Sequence, residues 1–210
     1  MIKTFVHNHF EVNSTLIYDE TKEGVLIDVA VQRDYEKQEL LKYIEDNDIK
    51  IVRLLLTHPH IDHVCGALWA SETFGLAIEM DEDGEKILRT AEAQADVMGF
   101  DVRGINNLRK TYIKEGDKIA YGNSELEVLS TPGHCDGSLS FYSKDEETVV
   151  VGDVLFYESV GRTDLPTGDY NLLRSSVHNK LFSLPPNTVC ICGHGPNTSI
   201  KHEKNYNPFI

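Results

Sequence analysis

The stretch LLLTHPHIDHVCG, residues 54–66, constrains this chain more than any other part of it. An apolar run there leads directly into four side chains that are able to bind a metal ion: His58, His60, Asp62 and His63. Three consecutive leucines are typical of a strand that is buried on both faces. Pro59 keeps the residues just after it from lying inside a helix. We therefore expect a metal-binding loop at the end of a buried strand.

The spacing within this loop favours two metal ions. His58 and His60 lie two residues apart, so on an extended backbone their side chains project to the same side. Asp62 and His63 are adjacent in the chain and must point in different directions. Imidazole and carboxylate ligands without a thiolate suit zinc, iron or manganese rather than a cysteine-rich structural zinc site.

Three further segments repeat the pattern of an apolar strand that ends in glycine beside a metal-capable side chain. They are LEVLSTPGH at 126–134, VVVGD at 149–153 and VCICGH at 189–194. Glycine at such a position lets the backbone approach an ion closely where a larger side chain would block it. The sequence therefore offers His134, Asp153 and His194 as ligands of the same site.

The composition restricts the class of protein. A chain of 210 residues fits a single domain, 1–210, and a formal net charge of -14 argues against general nucleic-acid binding. No segment approaches the length of a membrane span, and the first residues lack an apolar signal region. The four cysteines contain no CxxC and form no dense disulfide framework. We expect a soluble cytoplasmic protein with reduced thiols and without a membrane partner, and no feature of the sequence predicts its oligomeric state.

The apolar patterning predicts two groups of strands, each accompanied by helices. Strands are expected at 2–6, 14–19, 24–29, 51–57 and 76–80, and again at 111–122, 124–131, 138–143, 148–153 and 187–195. Helices are expected at 34–47, 64–74, 81–97 and 170–182. This order of elements indicates two packed sheets covered by helices.

Taken together, the motifs THPHIDH, PGH, GD and GH give the sequence a resemblance to the metallo-β-lactamase-fold hydrolases over nearly its whole length. VGRTDLPTGD at 160–169, GHGP at 193–196 and the C-terminal NPFI are similar to the short branch of glyoxalase II-like (hydroxyacylglutathione hydrolase-like) proteins. The resemblance implies an α/β fold, an αββα four-layer sandwich with the metals between the sheet edges.

The resemblance also implies a ligand set, two zinc ions per chain as cofactors (iron or manganese being possible) and an activity. The implied first metal is held by His58, His60 and His134, the second by Asp62, His63 and His194, and Asp153 bridges them. The implied activity is hydrolysis of a small thioester or related ester by a metal-bridging hydroxide, since two dications that share a water lower its pKa from about 15.7 to around 7. Asp62 would be catalytic, because it could orient the hydroxide and take its proton.

Arg162 is the predicted substrate-binding residue. It lies in the loop after the bridging aspartate, where glyoxalase II enzymes offer basic and aromatic side chains to the thiol carrier, and a salt bridge within a turn is the competing interpretation. The chain lacks the additional basic C-terminal region of those enzymes, so the thiol carrier stays open.

A mononuclear iron persulfide dioxygenase is the alternative function. That family shares the fold, the metal loop and a GRTD segment like that at 161–164. Its final histidine tends to precede an aspartate, whereas His194 precedes Gly195 and Pro196, which favours the hydrolase.

Several other candidate side chains are given structural roles. His7 and His9 imitate a metal-binding pair but have no further ligands near them in the sequence, so we expect them at the surface or at a strand edge. Cys65 and Cys135 lie beside predicted ligands and are expected to fill buried space.

Overall fold

Two six-stranded β-sheets form the centre of the protein, in a computed structural model that describes residues 1–210. The first sheet follows chain order, and its strands are β1 (Ile2–His7), β2 (Val12–Tyr18), β3 (Glu23–Ile27), β4 (Lys50–Leu55), β5 (Ile78–Met80) and β6 (Lys110–Tyr112). β1 to β3 pair antiparallel. β3 to β6 pair in parallel.

The second sheet has the order β14-β13-β10-β9-β8-β7. Its strands are β7 (Lys118–Tyr121), β8 (Ser124–Ser130), β9 (Leu139–Ser143), β10 (Thr148–Gly152), β13 (Val189–Cys192) and β14 (Thr198–Ser199). A separate hairpin consists of β11 (Leu155–Phe156) and β12 (Ser159–Val160). Within the second sheet only β10 and β13 pair in parallel.

Seven α-helices and three 3₁₀ helices complete the structure. The α-helices are α1 (Asp34–Asp46), α2 (Ile61–Val64), α3 (Ala67–Phe74), α4 (Glu85–Leu88), α5 (Ala91–Met98), α6 (Tyr170–Asn179) and α7 (Ile200–Tyr206). The 3₁₀ helices are Glu82–Gly84, Ile105–Asn107 and Leu181–Ser183. None of the helices has the length and hydropathy that a membrane span requires.

Three apolar clusters show that the layers are stacked in the order αββα. Leu54 and Leu55 point to opposite faces of β4, as expected for a strand buried on both sides. Leu54 packs in the cluster under α1 and α3, whereas Leu55 packs between the two sheets against residues such as Phe141 of β9. Leu173 of α6 packs in the third cluster, on the outer face of the second sheet. The structure thereby confirms the predicted four-layer sandwich.

Two predicted helices are interrupted. The helix expected at 64–74 is interrupted at Cys65 and Gly66: α3 covers only residues 67–74, and Val64 ends α2, a short helix over residues 61–64 that were expected in the metal loop. Gly66 packs so closely on the backbone of Val29 that a side chain there would overlap it. The helix expected at 81–97 is divided into a 3₁₀ turn, α4 and α5. At the last break the Thr90 hydroxyl donates to the carbonyl of Ile87 (2.7 Å), a local hydrogen bond that competes with helix continuation.

Candidate metal centre

The four metal-capable segments meet at one edge of the sandwich, where β4, β8, β10 and β13 end. Two backbone hydrogen bonds, both at 2.8 Å, stabilise this edge: the amide of Leu139, at the start of β9, donates to the carbonyl of Thr57, and the amide of Gly193 donates to that of Gly152. All of the predicted ligands lie together there: His58, His60, Asp62, His63, His134, Asp153 and His194.

The ligand atoms form overlapping groups within which they lie no more than 4.8 Å apart. These groups are His58–His60–His134, Asp62–His63–His194 and His58–His63–Asp153. The first two correspond to the sets that the resemblance implied for two separate ions. The structure therefore places the two implied sets of three side chains next to each other.

Asp153 lies between the two sets. One carboxylate oxygen is 3.2 Å from Nε2 of His63, and the other is 3.5 Å from Nε2 of His194 and 3.8 Å from Nε2 of His134. A carboxylate at this distance from both sets is able to contact two cations at once, which is the position of a bridging ligand.

His134 and His194 are oriented by backbone carbonyls. Nδ1–H of His134 donates to the carbonyl oxygen of Arg162, and Nδ1–H of His194 donates to that of Phe10, both at 2.8 Å. A carbonyl only accepts hydrogen bonds, so each ring carries a proton on Nδ1 and turns Nε2 toward the ligand cluster.

His58 and His63 are oriented through a buried carboxylate. Nδ1–H of His63 donates to Asp28 Oδ2 at 2.9 Å. The Thr57 hydroxyl donates to the same oxygen at 2.6 Å, which leaves its own lone pair to accept Nδ1–H of His58 at 3.1 Å. Hydrogen bonds of this kind fix the tautomer and rotation of metal-ligating histidines.

The inner atoms of the cluster have the chemistry of a cation site. Nε2 of His58 and Oδ1 of Asp153 are buried and lack a conventional hydrogen-bond partner. Nε2 of His134 lies 2.9 Å from Nδ1 of His60, and Nε2 of His63 lies 3.3 Å from Nε2 of His194. Imidazole nitrogens and carboxylate oxygens gathered at such distances need positive charge between them, from protons or from metal ions, so these residues fit bound metal ions.

The two halves of the cluster hold protons differently when no metal is bound. Burial, assisted by the neighbouring histidines, lowers the pKa of His58 far below its usual value and that of His60 to about 4. Burial also opposes the charged form of His194, but hydrogen bonds to Asp153 and Asp62 outweigh it and raise the pKa of His194 to about 10. Protons therefore take the place of a cation on the side that contains Asp62.

Two glycines allow the backbone to approach the cluster, and the sequence predicted this for Gly193 but not for Gly161. A Cβ on Gly193 would overlap the carboxylate of Asp153, and a Cβ on Gly161 would overlap the Asp153 carbonyl. Any larger residue would displace Asp153 from the position between the two histidine sets.

A cavity of about 240 Å³ opens onto the ligands. Its apolar wall consists of Phe10, Ile61, Met98 and Leu165, and it also contains the side chains of Gln94 and Arg162. Sequence patterning did not identify Gln94 and Met98, because α5 has the composition of a solvated helix. A hollow of about 470 Å³ beside Trp69 includes none of the predicted ligands.

Arg162 lines this cavity and also forms the turn salt bridge that was the competing interpretation. Its Nε donates to Asp164 Oδ1 at 2.7 Å, and the side chains are 61% and 69% exposed. Water screens such an exposed pair, so the guanidinium is able to exchange Asp164 for another carboxylate.

The burial of the residues that were assigned structural roles tests those predictions. His7 is fully buried rather than at the surface, but it ends β1, an edge strand of the first sheet, and its ring bonds to Ser14 Oγ at 2.8 Å; His9 lies at the surface. Cys65 and Cys135 are buried as predicted, and burial raises the pKa of each thiol to about 12, which disfavours the reactive thiolate.

Comparison with known sequences identifies relatives over nearly the whole chain. The sequence profile of the Metallo-beta-lactamase superfamily matches residues 7–194. Hydroxyacylglutathione hydrolase GloC of Haemophilus influenzae is 35% identical over 202 residues, which are 96% of this chain and 93% of that protein.

Comparison with solved structures supports the same relationship. The crystal structure of BLEG-1 B3 metallo-beta-lactamase superposes with a TM-score of 0.88 at 30% identity, covering 100% of this chain and 99% of the other. TTHA1623, crystallised in a di-iron-bound form, also has a TM-score of 0.88 at 30% identity, covering 99% and 100%. Both likenesses extend through the strands that deliver the clustered side chains.

Proposed function

The chain belongs to the metallo-beta-lactamase superfamily, and on that premise we propose that it hydrolyses a small thioester or related ester with two bound divalent cations, zinc in the first instance. The proposed first metal is held by His58, His60 and His134 and the second by Asp62, His63 and His194, with Asp153 shared between them. When bound, such ions polarise a carbonyl and lower the pKa of a bound water from about 15.7 toward about 7.

The convergence of fixed imidazole lone pairs on two buried carboxylates carries this proposal. Four histidines donate through Nδ1 to protein acceptors and so present Nε2 to the cluster. The Nε2 atoms of His63, His134 and His194 have only other members of the cluster as polar neighbours, and Nε2 of His58 has none. The cost of leaving Nε2 of His58 and Oδ1 of Asp153 buried without conventional partners is offset if cations bind there.

Asp62 is proposed to accept a proton from the attacking water as well as to bind the second metal. Although burial raises its pKa, the charge of His63 and a hydrogen bond to His194 keep that pKa below its usual value, so Asp62 is an ionised acceptor at neutral pH. Its carboxylate borders the cavity. It is therefore able to orient an attacking water and accept its proton without any protein nucleophile.

The size and lining of the cavity support a substrate with a small acyl group. A space of about 240 Å³ with an apolar wall accommodates a few heavy atoms next to the ligand cluster, and it leaves a larger thiol carrier at the surface. Arg162 at its edge is the proposed contact for a carboxylate of that carrier or of the acyl group. The name of the related GloC protein gives hydroxyacyl thioesters as the first substrates to try.

The alternative, a mononuclear iron persulfide dioxygenase, has less support. One iron would use His58, His60 and His134 with Asp153, and would give no role to the convergence of Asp62, His63 and His194. A second complete set of ligands favours the two-metal hydrolase.

Metal analysis combined with substrate assays tests the proposal. The protein is purified without added chelator, its metal content is measured, and it is assayed with a panel of short acyl and hydroxyacyl thioesters, a persulfide under oxygen and a β-lactam. We expect about two zinc ions per chain and hydrolysis of at least one thioester. One iron per chain with oxygen-dependent consumption of the persulfide would establish the alternative. Cleavage of the β-lactam alone would contradict the proposed substrate class.

A further inference from the structure

Asp62 is held differently from four of the other proposed ligands. His58, His63, His134 and His194 are each fixed through the ring nitrogen that faces away from the cluster. The Asp62 carboxylate contacts only members of the cluster, at 3.3 Å from His194 Nε2 and 3.8 Å from His63 Nε2. Its position must therefore be set through the backbone.

Asn8, in the turn between β1 and β2, holds that backbone. Its side-chain Nδ2 donates to the carbonyl of Asp62 at 2.9 Å and to the carbonyl of Ala30, just beyond β3, at 3.1 Å. Its Oδ1 accepts the amide hydrogen of Phe10 at 2.8 Å. With the carboxamide oxygen used in this way, only the NH₂ end is able to face the two carbonyls.

The rest of the turn is also fixed. The backbone amide of Asn8 donates to the buried carboxylate of Glu36 at 2.9 Å, and Asn8 has φ of 53°, a left-handed conformation that asparagine tolerates better than most residues. Phe10, two residues later, supplies the carbonyl that accepts Nδ1–H of His194. One short turn therefore contacts the backbone of Asp62 and the ring of His194.

We propose that Asn8 is a positioning residue for the second metal. This inference rests on the two-metal part of the proposed function. Asn8 holds α2 by the carbonyl of Asp62, and the Asp62 carboxylate thereby faces the same point as His63 and His194. Asn8 contacts no ligand of the first metal, so its loss should affect one metal and spare the other.

Zinc binding by Asn8 variants tests this positioning role. Asn8→Gly removes both donated hydrogen bonds while permitting positive φ, and Asn8→Asp keeps the shape and removes the donor. The control is Glu11→Gly, in the same turn with φ of 58° and no contact to a proposed ligand. Each full-length protein is stripped with chelator and titrated with zinc, and unfolding of the metal-free form is measured in parallel.

We expect Asn8→Gly to weaken the second zinc about 10- to 100-fold, as for loss of other groups that orient ligands, and to leave the first zinc within about twofold. After dialysis it should retain about one zinc, and excess zinc should restore the second. Asn8→Asp should behave in the same way, and Glu11→Gly should resemble the unmodified protein.

Two outcomes separate the two proposals. If the unmodified protein itself binds only one metal, the two-metal function fails. If the unmodified protein binds two zinc ions and a folded Asn8→Gly or Asn8→Asp protein binds both as tightly, the positioning role of Asn8 is wrong while the function stands. An equal loss of affinity for both zinc ions would likewise contradict the positioning role of Asn8, because that result indicates a general structural role.

Discussion

The carboxylate of Asp28 accepts Nδ1–H of His63 at 2.9 Å while both of its oxygens accept hydrogen bonds from Thr57, at 2.7 Å from the backbone amide and 2.6 Å from the hydroxyl. Asp28 lies just after β3 and is buried. It thus holds the start of the metal loop and one of the rings that the loop carries. A residue outside the predicted ligand set fixes the orientation of a ligand.

Replacing Asp28 with asparagine should weaken the binding of the second metal. The NH₂ group of asparagine would face a donor, either Nδ1–H of His63 or a group of Thr57, so His63 would lose its fixed tautomer. We expect about a 10- to 100-fold loss of affinity for the second zinc, measured by titration of the stripped protein. Asp19→Asn is the matched control, since Asp19 is also buried and bonds to turn residues such as Thr21. An unchanged second zinc affinity in Asp28→Asn would contradict the role given to Asp28.

Asparagine at Asp153 and at Asp62 should have different consequences for metal content. A bridging carboxylate contributes to both metals, whereas an ordinary ligand contributes to one. After dialysis, Asp153→Asn should approach zero metals per chain and Asp62→Asn about one, as measured by elemental analysis. If Asp153→Asn kept two tightly bound ions and normal turnover, Asp153 would be a turn residue and the two-metal assignment would have to be rebuilt without it.

The sequence predicted the layered fold and the members of the cluster because both depend on local patterns. Leu54 and Leu55 reveal a strand buried on both faces, and glycine followed by an acid or a histidine marks the strand ends where such side chains gather. These patterns require no knowledge of which strands are neighbours. The close packing of Gly66 on Val29 was missed because the two residues lie far apart in the chain.

The partners that orient the cluster were not predictable for the same reason. Asp28 and Asn8 are ordinary turn residues in the sequence, and their roles arise only when β1, β3 and the metal loop are adjacent. The burial of His7 on its edge strand was not predictable either, because its ring partner, Ser14, lies on the facing strand β2. The pairing of strands brings these residues together, and that pairing cannot be inferred from composition or from the spacing of residues in the sequence.

The metal-free protein should lose stability as the pH rises above neutrality. The pKa of His194 is raised in the folded protein to about 10, since its bonds to Asp153 and Asp62 outweigh burial. Stability from this proton is fully present below the unfolded pKa of about 6.5 and is lost as the pH rises toward 10. Urea unfolding of stripped protein between about pH 6.5 and 8 measures the slope before the cysteines of the unfolded chain titrate.

Two variants and the zinc-bound protein test whether His194 causes this dependence of stability on pH. His194→Gln should reduce it, and His178→Gln, at an exposed position on α6, should not. With zinc bound, stability should instead rise over the same range, because zinc binds the deprotonated ring. An identical slope in the His194→Gln protein would show that other groups cause it.

Arg162→Gln should weaken substrate binding and spare the metals. The substitution keeps the backbone carbonyl that accepts Nδ1–H of His134, so that ligand stays fixed. It removes the guanidinium at the edge of the cavity. For a thioester that carries a carboxylate we expect KM to rise about 10-fold with kcat little changed, and zinc content to be unaffected.

Arg103→Gln is the control for this experiment, because Arg103 forms the same kind of exposed pair with a neighbouring Asp101 and does not line the cavity. A thioester without a carboxylate should show no change in KM with either variant. A fall in kcat alone for Arg162→Gln would mean that Arg162 does not serve to bind the substrate carboxylate.

Gly193→Ala should disable the cluster although it changes no ligand. The new methyl group would overlap the carboxylate of Asp153 and press on the ring of His63, so the bridging position would be lost. We expect loss of bound zinc and at least about a 100-fold fall in kcat/KM, as for misplacement of a catalytic group by about 1 Å. Gly195→Asn is the matched control, because Gly195 has φ of 69° and open space around the Cβ position, and asparagine tolerates that backbone. Near-normal zinc content and activity in Gly193→Ala would show that Asp153 is not confined by this contact.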